Sequence, residues 1–232
     1  MTKPLLGILG GMGPEASVYF YQQIIKKTPV TCDQDHIPTL TYQATFLPDR
    51  VKMIQQNRVP EFLEQLKKTL ALLYESKITA LAVPCNTVHY FLNQIRAEIP
   101  VPFFHLIESC MDDLEKKEID KAILLSTQGT IDTRLYHDEA AKKNIKIITP
   151  SKQDQCVISD AIQQIKGGAE AKSMSESLLL LIRNLAKNQT NNIILGCTEL
   201  PLIFDGESAD DLVLIDPMQC LVKEIIAYFS LK

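Results

Sequence analysis

The sequence predicts an α/β protein of two similar halves, each a mostly parallel sheet flanked by helices. Three observations carry this. Short apolar runs alternate with amphipathic stretches along the whole chain, the pattern of strands joined by crossover helices. Hydrophobic residues make up 46% of the 232 residues, yet aromatics are 6% and Trp is absent. The core must therefore rest on Ile, Leu, Val and Ala, which suits sheets buried on both faces. Finally, two strand–loop–helix units, AVPCNT ending at Thr87 and ILGCTE ending at Glu199, lie about half the chain apart.

Each element follows from local pattern. Residues 5–9 read as a buried strand, 10–13 as a glycine turn, and Pro14 fits the first turn of a helix to Lys27. Residues 39–46 are β-rich, and 47–50 form a loop. Phe62, Leu63, Leu66, Leu70 and Leu73 share one face of a helix over 61–76. A strand over 79–83 ends at Pro84, and a helix spans 86–98. Pro100 and Pro102 mark a break, then a short strand over 103–106 leads into a helix to Lys117.

The pattern then repeats. Residues 121–126 form a strand, 127–130 a turn, 134–143 a helix and 145–149 a strand. Helices over 158–166 and 169–187 are separated by Gly167 and Gly168. Residues 192–195 form a strand ending at Gly196, 212–215 form another, and Pro217 opens the last helix. Length suits two small domains of roughly 100–150 residues. They are expected at 1–101 plus the returning 212–232, and at 102–211.

Composition excludes several classes. Net charge is −4, from 24 Lys and Arg against 28 Asp and Glu, with no basic run, so nucleic acid is not the expected partner. The first apolar run is broken by glycines too early for a signal peptide, and no apolar stretch approaches about 20 residues, so no membrane segment is expected. The six cysteines include no C-x-x-C pair, which argues against a zinc ribbon or thioredoxin motif. The expectation is a cytoplasmic protein with reduced thiols.

Two cysteines stand out. Ligands of open α/β sheets bind outside the carboxyl ends of strands, where the next helix offers free N–H groups and partial positive charge. A thiol there is expected to shift toward thiolate. Cys85 and Cys197 have that context; Cys110 and Cys220 fall on apolar helix faces, Cys32 in a polar loop and Cys156 near a helix start. A single strand-end cysteine is as readily inert packing as chemistry. Two in matching halves, each near a Thr, favour chemistry. Thiols facing across a cleft suit proton removal from one face of a carbon and proton return to the other. His89, four residues after Cys85 on the same helix, is expected to be structural rather than a general base.

The motifs GILGGMGPEA at 7–16, DQDHIP at 33–38, LPDR at 47–50, PCNTVH at 84–89, GT at 129–130, GCTE at 196–199 and IDPM at 215–218 occur in order across nearly the whole chain. In this combination the chain resembles the cofactor-independent aspartate racemases of the aspartate/glutamate racemase superfamily. The resemblance implies two pseudo-symmetric α/β domains with the active site in the cleft between them, a homodimer, and no pyridoxal phosphate or metal. It assigns acid and base roles to Cys85 and Cys197. It puts Arg50 on a substrate carboxylate, Lys166 beside it, and Asn86, Thr87 and Val88 in contact with a small acidic amino acid; the family more often has Ala at position 88.

The residues themselves agree. Arg50 offers a planar fork for a carboxylate, and Lys166 a point charge. Backbone N–H groups of Asn86, Thr87, Thr198 and Glu199 can stabilise a carboxylate gaining enediolate character. Glu199 either tunes the Cys197 thiol or caps a helix. Gly11, Gly13 and Ala16 loosely match a dinucleotide fingerprint, but no acid ends the second strand. The glycines are instead expected to let backbone approach a small carboxylate at a helix start, with Met12 at the loop tip. Asp33, Asp35 and His36 read as a polar loop rather than a metal site. Glutamate or broader acidic amino-acid racemisation, isomerisation of maleate, decarboxylation of malonates, and a non-catalytic two-lobed binding protein are the competing functions.

Overall fold

Runs of mostly apolar residues buried on both faces build the strands over 6–10, 121–126 and 192–196 in the computed structural model, which describes residues 4–187, 189–204 and 211–230. The outer ends of the expected domains, at 1–3, 205–210 and 231–232, lie outside the described residues. In chain order the first half contains β1 (Leu6–Gly10), α1 (Pro14–Lys27), β2 (Thr39–Gln43), α2 (Arg50–Gln55), α3 (Val59–Glu75), β3 (Ala80–Ala82), α4 (His89–Gln94) and β4 (Phe103–Phe104). After α5 (Leu106–Lys116) come β5 (Lys121–Ser126), α6 (Gln128–Asp132), α7 (Leu135–Ala141), β6 (Lys146–Ile148) and α8 (Lys152–Lys166). Then follow α9 (Ser175–Ala186), β7 (Asn192–Gly196), α10 (Leu200–Ile203), β8 (Val213–Ile215) and α11 (Pro217–Ser230).

Two four-stranded parallel sheets result, ordered β2-β1-β3-β4 and β6-β5-β7-β8. The two orders are equivalent. In each, the chain runs outward from the first strand, then crosses back to pair the third strand on its other side. The carboxyl ends of β1 and β3, and of β5 and β7, therefore flank a topological switch point, where such sheets bind ligands.

The side-chain alternation of period two is explicit. Leu6 and Ile8 face one core with Ala80 and Ala82, whereas Leu9, Leu81 and Val83 face the opposite core with α3. In the second sheet, Ile123, Leu125, Ile193 and Leu195 meet α8 and α9, while Ala122, Leu124 and Ile194 meet α5 and α7. Helix α11 joins the halves: Met218, Leu221, Val222 and Ile225 cover the first sheet, and Cys220 joins the core of the second.

Several expected boundaries shift, each for a local reason. The loop expected over 47–50 gives way to α2 at Arg50, because Asp49 caps it by accepting from the Lys52 N–H at 3.0 Å. The turn expected over 127–130 is helix α6, capped by Thr127. Helix α8 begins at Lys152 rather than 158, with Ser151 as its cap. The helix expected from 86 begins only at His89, because residues 86–88 form tight turns such as His89 N–H to Asn86 O. The helix expected over 169–187 is a 3-10 turn followed by α9.

Candidate active site

Cys85 and Cys197 line the same pocket, one from each half. Its other walls are Met12, Asp49, Arg50, Val51, Asn86, Thr87, Lys166, Thr198 and Glu199. Both cysteines are 5% exposed. Each lies just past the carboxyl end of the strand beside its sheet's first strand, β3 for Cys85 and β7 for Cys197. Every site residue expected from the sequence is thus brought together except Val88. Its side chain is fully buried in the apolar core with Phe91 and Leu92, not in the pocket wall, because the turn after Thr87 points it inward.

The expectation that both thiols shift toward thiolate needs correction at Cys197. Burial pushes this thiol well above its ordinary pKa, and the Glu199 carboxylate adds to the rise; Lys166 and the Glu199 N–H work in the opposite sense. Cys197 donates to Glu199 Oε2 at 2.9 Å. Helix α10 has four residues, too short a dipole to outweigh a neighbouring carboxylate. Glu199 therefore engages the thiol, and makes no side-chain capping bond to α10.

The glycine loop serves this carboxylate. Gly11 has φ +89°, and a Cβ there would lie 2.6 Å from the Ala44 nitrogen. A Cβ on Gly13 would lie 2.9 Å from Glu199 Oε1. The carboxylate brought close to the start of α1 is thus the protein's own.

Three buried polar atoms at the site have no protein partner: Arg50 Nε, Asn86 Nδ2 and Glu199 Oε1. Two are donors and one is an acceptor. Such groups are costly unless something pairs with them. The Arg50 guanidinium is otherwise held by Pro48 O at 3.2 Å and Met12 O at 3.3 Å. Lys166 ends α8 and is exposed at its edge. Crowding by the protein works to lower its pKa, but Cys197 and Glu199 more than compensate and raise it.

Sequence reasoning did not single out Asp49 or Val51 in the wall, nor a hydroxyl cluster behind it. Thr87, Thr127 and Thr130 are mutually hydrogen-bonded at 3.0–3.1 Å across the two halves. The GT motif at 129–130 was the available signal. His89 is structural, as its spacing implied. Its Nε2 accepts from the Leu106 N–H at 3.1 Å, so Nδ1 carries the proton and donates to Cys85 O at 2.7 Å. Cys110 and Cys220 are buried and Cys32 and Cys156 exposed, away from the pocket. Asp35 folds back on Thr31 and Cys32 in a polar loop.

Fold and site define a two-lobed α/β protein with one cysteine from each half lining a shared polar pocket. The chain belongs to the Asp/Glu/hydantoin racemase family, whose model matches residues 9–225. The structure is similar to Picrophilus torridus aspartate racemase, at 25% identity and TM-score 0.84, covering 98% of this chain and 94% of that one. The broad specificity amino-acid racemase RacX of Bacillus subtilis (strain 168) is 24% identical over 97% of this chain and 98% of its own length. A glutamate racemase of Pediococcus pentosaceus is 27% identical over 78% of this chain and 69% of its own.

Proposed function

We propose that this protein interconverts L- and D-aspartate by a two-base mechanism using Cys85 and Cys197. The observation that carries the reading is that these two thiols, from opposite halves, line one pocket together with Arg50 and Lys166. In one direction the Cys85 thiolate removes the Cα proton, breaking C–H and forming S–H. The resulting carbanion is planar, with charge spread into the α-carboxylate. Cys197 then gives its thiol proton to the opposite face, leaving an inverted centre and a Cys197 thiolate. The reverse reaction starts from the opposite protonation states.

Arg50 and Lys166 hold the two carboxylates, while the Asn86 amide and the backbone N–H groups of Asn86, Thr87, Thr198 and Glu199 stabilise the developing enediolate. Proton transfer between carbon and sulfur requires no electron sink beyond this, so the reading gives no role to pyridoxal phosphate or a metal.

The test is incorporation of solvent deuterium at Cα of L-aspartate, followed by chiral separation. Exchange together with appearance of D-aspartate is expected. Absence of both exchange and loss of optical rotation with the wild-type protein rules the reading out and leaves binding without chemistry. A second reading, racemisation of glutamate or a broader set of acidic amino acids, is favoured by the similarity to RacX and to glutamate racemase. It predicts a kcat/KM for glutamate equal to or above that for aspartate, whereas a pocket shaped for aspartate should disfavour the extra methylene by about 10- to 200-fold.

A further inference from the structure

Asn86 and Tyr136 meet across the two halves. Asn86 follows β3 in the first, and Tyr136 stands on α7 beside the second sheet. The Tyr136 hydroxyl donates to Asn86 Oδ1 at 2.5 Å, in a fully buried contact. The other end of that amide, Nδ2, is buried without a protein partner although Asn86 lines the pocket. One end of the amide is tied; the end bearing two N–H donors is open to a ligand.

We infer that Tyr136 is a positioning residue, which holds the Asn86 amide so that its NH2 group faces the substrate carboxylate. This rests on the racemase reading. The direction follows from what surrounds the phenol. Tyr136 lies among Ile107, Cys110, Met111, Leu124 and Cys220, and Asn86 Oδ1 is its hydroxyl's acceptor. Turning the amide over would make the phenol accept from Nδ2 and strand the phenolic proton among apolar and thiol side chains. It would also aim a carbonyl oxygen at a carboxylate. Each consequence disfavours the reversed amide. Burial pushes the phenol's pKa well above its usual value, so the hydroxyl remains a donor. The open NH2 gains strength as negative charge grows on the carboxylate, so the effect falls on the transition state.

The experiment compares Tyr136→Phe, Asn86→Ala and the double variant by kcat and KM for both aspartate enantiomers. Tyr136→Phe keeps the buried ring and removes only the hydroxyl. It is expected to lower kcat about 10- to 100-fold with little change in KM. In the Asn86→Ala background the same change should add nothing, since the group it orients is gone. Losses that multiply in the double variant, or a wild-type kcat in Tyr136→Phe, overturn the role. Should Tyr136→Phe not fold, Asn86→Asp decides: the carboxylate still accepts from Tyr136 but offers the substrate no donor. It should lose kcat as Asn86→Ala does, and wild-type kcat there overturns the inference. A wild-type protein without Cα exchange refutes the racemase reading and this role with it. An active wild type with multiplicative losses refutes Tyr136 alone.

Discussion

The Cys197 thiol donates a 2.9 Å hydrogen bond to the carboxylate of Glu199, two residues further along the chain. Burial first, and then this pairing, pushes the Cys197 thiol well above its ordinary pKa, and Lys166 and the Glu199 N–H only partly oppose the rise. Glu199→Gln removes the negative charge while keeping the side chain's shape. The Cys197 titration should then move downward, read as a lower midpoint in alkylation rate against pH. Racemisation should fall by about 10²- to 10⁴-fold, the scale of a lost acid–base group. Because the two substrates are mirror images, kcat/KM must stay equal in both directions, which provides an internal check. An unchanged alkylation midpoint would separate Glu199 from the thiol.

Cys85→Ser and Cys197→Ser test the pair itself. A hydroxyl fits the volume of either buried thiol but is a far weaker acid. Each variant should lose about 10²- to 10⁴-fold in racemisation while keeping the wild-type melting transition within a few degrees. Wild-type turnover in either variant removes that cysteine from the mechanism.

The places of Cys85 and Cys197 were legible because strand ends are marked locally, by Pro84 after an apolar run and by Gly196 after another. The state of the Cys197 thiol was not. Strand-end position predicts a helix dipole, but the dominant neighbour is a carboxylate whose side-chain direction no periodicity encodes. Helices α2 and α6 were missed although Asp49 and Thr127 are ordinary capping residues, because six and five residues are too few to show an apolar stripe. Tyr136 and the threonine cluster were invisible for a different reason. Their partners lie 40 to 50 residues away, in the opposite half.

Arg50 places its guanidinium at the pocket with Nε unpaired and two other nitrogens on backbone carbonyls. Arg50→Ala should raise KM for aspartate about 10- to 100-fold, the scale of a charge-assisted hydrogen bond. Arg50→Lys should recover little of this, since an ammonium cannot reproduce the fork. The ratio of kcat/KM for aspartate over alanine is the quantity to follow. If Arg50→Ala leaves that ratio intact, the side chain does not read the second carboxylate.

His89 and His105 are buried, with ring centroids 4.4 Å apart and opposite tautomers. His105 Nδ1 accepts from the Glu108 N–H, so its Nε2–H faces Asn93 Oδ1 at 2.9 Å. Burial first, then Arg96, lowers the His105 pKa from 6.5 to about 3. Burial first, then His105, takes His89 well below 6.5. Between these values the unfolded chain binds more protons than the folded one. Their stabilisation is complete above about pH 6.5 and is lost as pH falls, by up to about 1.4 kcal/mol per pH unit per histidine. Asp216 acts in the opposite direction: burial raises it from 3.8 to about 6, so its share is present below 3.8 and is lost as pH rises through 6. Two histidines outweigh one carboxylate, and their window extends below that of Asp216. The urea midpoint should therefore drop between about pH 6.5 and about pH 3, and drop less steeply in His105→Gln, which keeps a donor for Asn93 but takes up no proton. Identical slopes for the two proteins would mean that His105 is not protonated on unfolding in this range.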